Sequence, residues 1–102
     1  MSTNTPCPAC AKHTVRDGEL KKKLLNRLRR IEGQVRGIEA MIEEDAYCND
    51  VLIQSAAVNA AMNSFNRELL ACHIRGCVAR DLRGGNDEIV DELVETLQKL
   101  MK

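Results

Sequence analysis

The stretch LLACHIRGCV, residues 69–78, sets His73 and Cys77 four residues apart among small and apolar neighbours. On an α-helix that spacing is about one turn, so an imidazole and a thiol share a face and can share a metal ion. Two ligands make a weak site, and the obvious third is Cys48. Twenty-five residues of helix span ~37 Å, so Cys48 cannot reach His73 within its own straight helix. It can if two copies of that helix pair antiparallel about a two-fold axis. With the crossing near residues 61 and 62, position 48 lies opposite position 75. The segment SAAVNAAMNS places Ala56, Ala57, Ala60 and Ala61 beside that crossing, a low-relief patch suited to close helix contact. Isologous symmetry makes two such sites per dimer. Two thiolates and one imidazole form a soft set: three-coordinate it suits Cu(I), and with a fourth ligand Zn(II) or Ni(II). The competing reading is plain packing, since free cysteine is often buried and inert.

The remaining cysteines carry weaker signals. Cys72 sits about a quarter turn from His73 and is poorly matched to the face of Cys77, which makes it an auxiliary or buried thiol. Cys7 and Cys10 form a C-x-x-C pair in CPAC, without the second pair of a zinc ribbon or the strand–helix context of a redox motif. His13, in the same polar segment, is a conceivable extra ligand.

The elements that must hold these groups are helical. The only aromatics are Tyr47 and Phe65, and both prolines fall within the first eight residues. Leu, Ala, Glu and Lys dominate the rest, which predicts an all-α chain. Residues 1–18 read as a flexible tail and residues 19–102 as one domain. A first helix is expected from Glu19 to Glu44, with Leu20, Leu24, Leu28, Ile31, Val35, Ile38 and Ile42 on one apolar stripe. Gly33 and Gly37 leave a gap on it where another helix could approach. A long second helix is expected from about Asn49 to Leu82, capped by Asn49 or Asp50 at its start and with Gly84 as a C-cap candidate. A third runs from Asn86 or Asp87 to Met101, with Ile89, Val90, Leu93, Val94, Leu97, Leu100 and Met101 on a broad face. No apolar run approaches the ~20 residues a membrane span needs, and no signal-peptide pattern is present, so a cytoplasmic location is expected. In that compartment five cysteines point to metal or redox chemistry before disulfides.

Formal net charge is zero, but it is unevenly placed. Between Lys12 and Arg36 stand Lys12, Arg16, Lys21, Lys22, Lys23, Arg27, Arg29, Arg30 and Arg36 against Asp17, Glu19 and Glu32. Lys23, Arg27, Arg30 and Gln34 form a second stripe beside the apolar one. Bases in a line can follow a phosphate backbone, so this segment is a candidate nucleic-acid face. A merely solvated helix face is the alternative.

The string NRLRRIEGQVRGIEAMIEEDAYCNDVLIQ, followed by LLACHIRGCV, resembles the copper-sensing operon repressor (CsoR) family, within the wider group that includes nickel/cobalt- and formaldehyde-responsive repressors. The likeness covers roughly residues 20–102. It implies a three-helix protomer with a long central helix, an antiparallel dimer, and a dimer of dimers that binds operator DNA without a helix-turn-helix. It also implies Cu(I) on Cys48 of one protomer and His73 and Cys77 of the other, the trio reached above from spacing. By the same likeness, Tyr47 and Glu92 would support those ligands, Glu92 only if the preceding loop is one residue shorter here. Arg27 and Arg30 fall where relatives contact DNA.

The departures are Cys72 beside the histidine, the CPAC segment, and HTVRD, which is similar to the start of the nickel/cobalt branch but lies about a turn further out. His73 argues against the persulfide-sensing branch, and Cys77 against the formaldehyde branch. The expectation is therefore a Cu(I)-responsive repressor that releases operator DNA on metal binding. A thiol or persulfide sensor using Cys48 and Cys77, or a nickel/cobalt-type sensor, is the alternative. No nucleophile–base pairing, phosphate-cradling glycine loop or open-coordination metal motif is visible, so an enzyme is not expected.

Overall fold

The computed structural model describes residues 18–101; the expected tail with Cys7, Cys10 and His13 lies outside the described residues. Those residues form helices α1 (Gly18–Glu43), α2 (Cys48–His73), α3 (Ala79–Arg83) and α4 (Glu88–Leu100), and contain no strand. A five-residue π-helical segment, Ile74–Val78, joins α2 to α3. The all-α expectation therefore stands. They divide into two compact units, Gly18–Leu69 and residues 70–101.

In the first unit the apolar stripe of α1 behaves as its spacing requires in its N-terminal half, where Leu24 and Ile31 are buried. Further on the stripe opens to solvent: Val35 is 41% exposed and Ile42 61%. No residue of α2 within Cys48–His73 is buried, although the segment is rich in apolar side chains. Ala56, Ala57 and Ala60 are exposed with it. A Cβ placed on Gly33 or Gly37 would meet no atom within 4 Å, so the expected gap is open.

The turn between α1 and α2 is built by hydrogen bonds that close the first helix. The Ala46 N–H donates to Met41 O and the Asp45 N–H to Ile42 O, which is the Schellman pattern. That pattern needs a left-handed residue, and Asp45 supplies it at φ 56°. Its short polar side chain tolerates the conformation better than most. The start of α2 differs from expectation. Asn49 and Asp50 lie inside the helix, and the Tyr47 carbonyl accepts from the Asp50 and Val51 N–H groups.

The expected long helix from about Asn49 to Leu82 is present as one continuous helical run from Cys48 to Arg83, in which Ile74–Val78, in the second unit, takes π-helical form between α2 and α3. The Ala79 N–H donates to Ile74 O, five residues back, so this turn holds one residue more than an α turn. Gly76 sits inside it, where helix propensity is lowest. The end of α3 repeats the Schellman pattern: Asn86 N–H to Asp81 O and Gly85 N–H to Leu82 O. Gly84 is the C-cap, as the sequence suggests, but Gly85 is the left-handed residue, at φ 91°. Asp81, 5% exposed, accepts from Asn86 Nδ2 at 3.2 Å and ties the turn together.

Helix α4 packs against the π segment, and Ile89, Cys77 and Val78 form the buried centre of this unit. Its inward face is narrower than expected. Leu93 and Leu97 are half-buried, whereas Val90, Val94, Leu100 and Met101 remain exposed.

Candidate metal centre and nucleic-acid face

His73 closes α2, and Cys77 follows inside the π segment. Cys77 is 4% exposed while His73 and Cys72 are half-buried, so the thiol of the pair lies deepest. A buried soft donor next to a less buried imidazole suits an ion that prefers sulfur and nitrogen to water. The extra residue in the π turn also narrows the angle between Cys72 and Cys77 relative to an α-helix. The poor match of Cys72 to the face of Cys77 read from the sequence is therefore reduced by the π turn.

Cys48 is the first residue of α2 and is exposed. Tyr47, just before it, is 72% exposed. Glu92 stands in the middle of α4, on the helix that packs against the π segment. Among the described residues, no three His, Cys, Asp or Glu side chains of one chain form a metal-sized group. His73 and Cys77 stand four residues apart, at the end of α2 and in the π segment.

The basic residues behave differently. Lys23, Arg27 and Arg30 line one surface recess of α1, together with Lys22, Asn26 and Glu19. Sequence reasoning picked out the first three as a stripe and missed Lys22 as their neighbour. It also missed Glu68 on α2, whose Oε2 lies 2.7 Å from Lys23 Nζ and whose Oε1 lies 2.8 Å from Arg27 Nε. The Lys23 ammonium, hydrogen-bonded to it, holds the Glu68 carboxyl below its ordinary value, with the Arg27 charge adding to the effect. One signal was available: Glu68 is the only acid between Asp50 and Asp81.

A family model for the metal-sensitive transcriptional repressors matches residues 20–99, through both units and every helix described above. The chain belongs to that family. It is a family of repressors and not of enzymes, and this chain is a metal-sensitive transcriptional repressor. The repressor is 46% identical over 83 residues to the copper-sensing transcriptional repressor CsoR of Bacillus subtilis (strain 168), covering 80% of this chain and 82% of that one. It is 48% identical over 75 residues to the copper-sensing transcriptional repressor RicR of Mycobacterium tuberculosis (strain ATCC 25618 / H37Rv), covering 74% and 78%. The crystal structure of the copper-sensing repressor CsoR with Cu(I) from Geobacillus thermodenitrificans NG80-2 matches with TM-score 0.83 at 37% identity, over 88% of this chain and 95% of that one. The nickel-responsive transcriptional regulator InrS matches with TM-score 0.67 at 38% identity, over 85% and 96%. Among the described residues no helix is long and apolar enough to cross a membrane.

Proposed function

We propose that this repressor senses Cu(I), bound by Cys48 of one protomer and His73 and Cys77 of another, and that binding lowers its affinity for operator DNA. The observation that carries the reading is the buried Cys77 one turn beyond His73, on a helix whose first residue is the exposed Cys48. Two thiols and one imidazole are a soft donor set, and three such donors favour Cu(I) over harder cations. The relatives named as copper sensors, and the likeness to the Cu(I)-containing CsoR structure, support the same metal.

Self-association is part of this reading, because one chain supplies two adjacent ligands and leaves the third at the far end of its helix. The exposed Leu52, Ile53, Tyr47 and Ile42 support it, as does the exposed alanine patch on α2. These are surfaces an antiparallel second copy would cover, giving a homodimer and, by a second contact, a homotetramer. Tyr47 and Glu92 are proposed to support the ligands. A carboxylate taking the second ring N–H of His73 would couple metal occupancy to the position of α4. Lys23, Arg27 and Arg30 are proposed to contact operator phosphates, in the cytoplasm, where the DNA is.

Reciprocity follows from linkage: if Cu(I) weakens DNA binding, DNA weakens Cu(I) binding by the same factor. Fluorescence anisotropy of labelled operator DNA, titrated with Cu(I)-loaded and metal-free protein, tests the proposal. Copper should raise the apparent Kd, and unchanged affinity at saturating copper would rule copper out as the inducer. The likeness to InrS favours nickel as the second reading, and the same titration with Ni(II) decides between them.

A further inference from the structure

Glu68 pairs with two of the cations proposed above to contact operator phosphates. It bridges Lys23 and Arg27 at 2.7 and 2.8 Å, and both cations line the basic recess of α1. Its side chain is 20% exposed, against 60% for Lys23 and 37% for Arg27. The carboxylate therefore lies beneath two cations that project toward solvent.

We infer that Glu68 is an internal competitor for phosphate that limits the sequence-independent DNA binding of this repressor; the inference rests on reading α1 as the DNA-contacting face. A carboxylate between two cations makes the same charge-assisted contacts that a phosphate oxygen would make. While it holds them, the trio of Lys23, Arg27 and Glu68 carries one net positive charge in place of two. Sequence-independent binding is almost wholly electrostatic, and its strength follows the number of phosphates neutralised. Each engaged face then releases about one counterion fewer than its cations alone would release. Operator binding has base and shape contacts to draw on as well, so it depends on this charge for a smaller share of its affinity.

The test is the affinity of the full chain for a mixed-sequence duplex, measured by anisotropy across a salt series. Glu68→Gln should bind more tightly than the parent, and its plot of log affinity against log salt should steepen by about 0.9 for each engaged face. Raising salt fourfold would then cost the variant about 3.5-fold more affinity than the parent for each face. Glu68→Asp keeps the charge but draws the carboxylate back from the cations, and should also tighten binding, by less. Glu32→Gln removes the same charge from an exposed position on α1 and should leave the slope unchanged. In a Lys23→Gln, Arg27→Gln background, Glu68→Gln should have no further effect.

Unchanged or weaker binding by Glu68→Gln and Glu68→Asp would overturn the inference, while parental DNA binding would leave α1's role intact. An equal gain in Glu32→Gln would overturn it by reducing the effect to net charge. If neither the parent nor either Glu68 variant binds any duplex at low salt, the DNA-face reading fails and takes this inference with it. Far-UV circular dichroism of each variant confirms that the helices are kept.

Discussion

Lys23 Nζ lies 2.7 Å from Glu68 Oε2, so the basic face of α1 is held to α2 by a carboxylate at its edge. The Lys23 hydrogen bond and the neighbouring charges keep that carboxyl below its ordinary value of 4.5 in the folded chain. The unfolded chain has no such partners, so the pairing stabilises the fold above pH 4.5 and is lost as pH falls through the lower folded value. Thermal midpoints of the parent and Glu68→Gln should differ near neutral pH and converge in the acid range. Parallel curves down to the most acid point would contradict this role.

The phosphate contacts assigned to Arg27 and Arg30 make a separate prediction. Replacing either with Gln should weaken operator and mixed-sequence DNA alike, because phosphate contacts carry no sequence information directly. Each replacement should flatten the salt dependence by about 0.9 per engaged face. A change in sequence preference with an unaltered slope would place these side chains elsewhere.

His73 separates the metal reading from thiol chemistry. His73→Ala should abolish the copper response of DNA binding while leaving metal-free affinity close to the parent's. A sensor that joins Cys48 to Cys77 through sulfane sulfur would keep its response to polysulfide in this variant. Mass spectrometry for an intersubunit di- or trisulfide reads that outcome directly. Glu92→Gln and Tyr47→Phe should each lower Cu(I) affinity by about 10–100-fold if they support the ligands.

The turn ahead of Cys48 depends on Asp45 at φ 56°. Asp45→Val puts a β-branched residue into a left-handed conformation and should cost about 1–2 kcal/mol in chemical denaturation. Asp45→Gly removes the steric conflict and should at least match the parent, since glycine is the usual residue at this place in a Schellman motif. Equal loss in both variants would show that the Asp45 side chain, and not its backbone, carries the turn.

Much of this was readable from residue spacing, for physical reasons that differ by element. The stripe of α1 was visible because Leu24 and Ile31 are buried within the chain itself. Its far end and α2 read as equally apolar, yet Val35, Ile42, Leu52 and Ile53 stay exposed, since a sequence pattern marks apolar faces without saying what covers them. The one-turn spacing of His73 and Cys77 was legible because four residues span about one turn in either helical form. The π segment was hidden, since one added residue in a turn leaves the apolar pattern nearly unchanged and Gly76 is its only local mark. Glu68 escaped because periodicity weighs apolar positions, and a single acid beside Arg67 carries no period.

The trio of Cys48, His73 and Cys77 is most directly tested by the X-ray absorption spectrum of the Cu(I)-loaded protein. Three-coordinate copper with two sulfur ligands and one nitrogen is expected, reduced to sulfur coordination or lost altogether in His73→Ala. A copper site with no nitrogen ligand in the parent protein would contradict it, and a third sulfur in that place would turn attention to Cys72 beside the histidine.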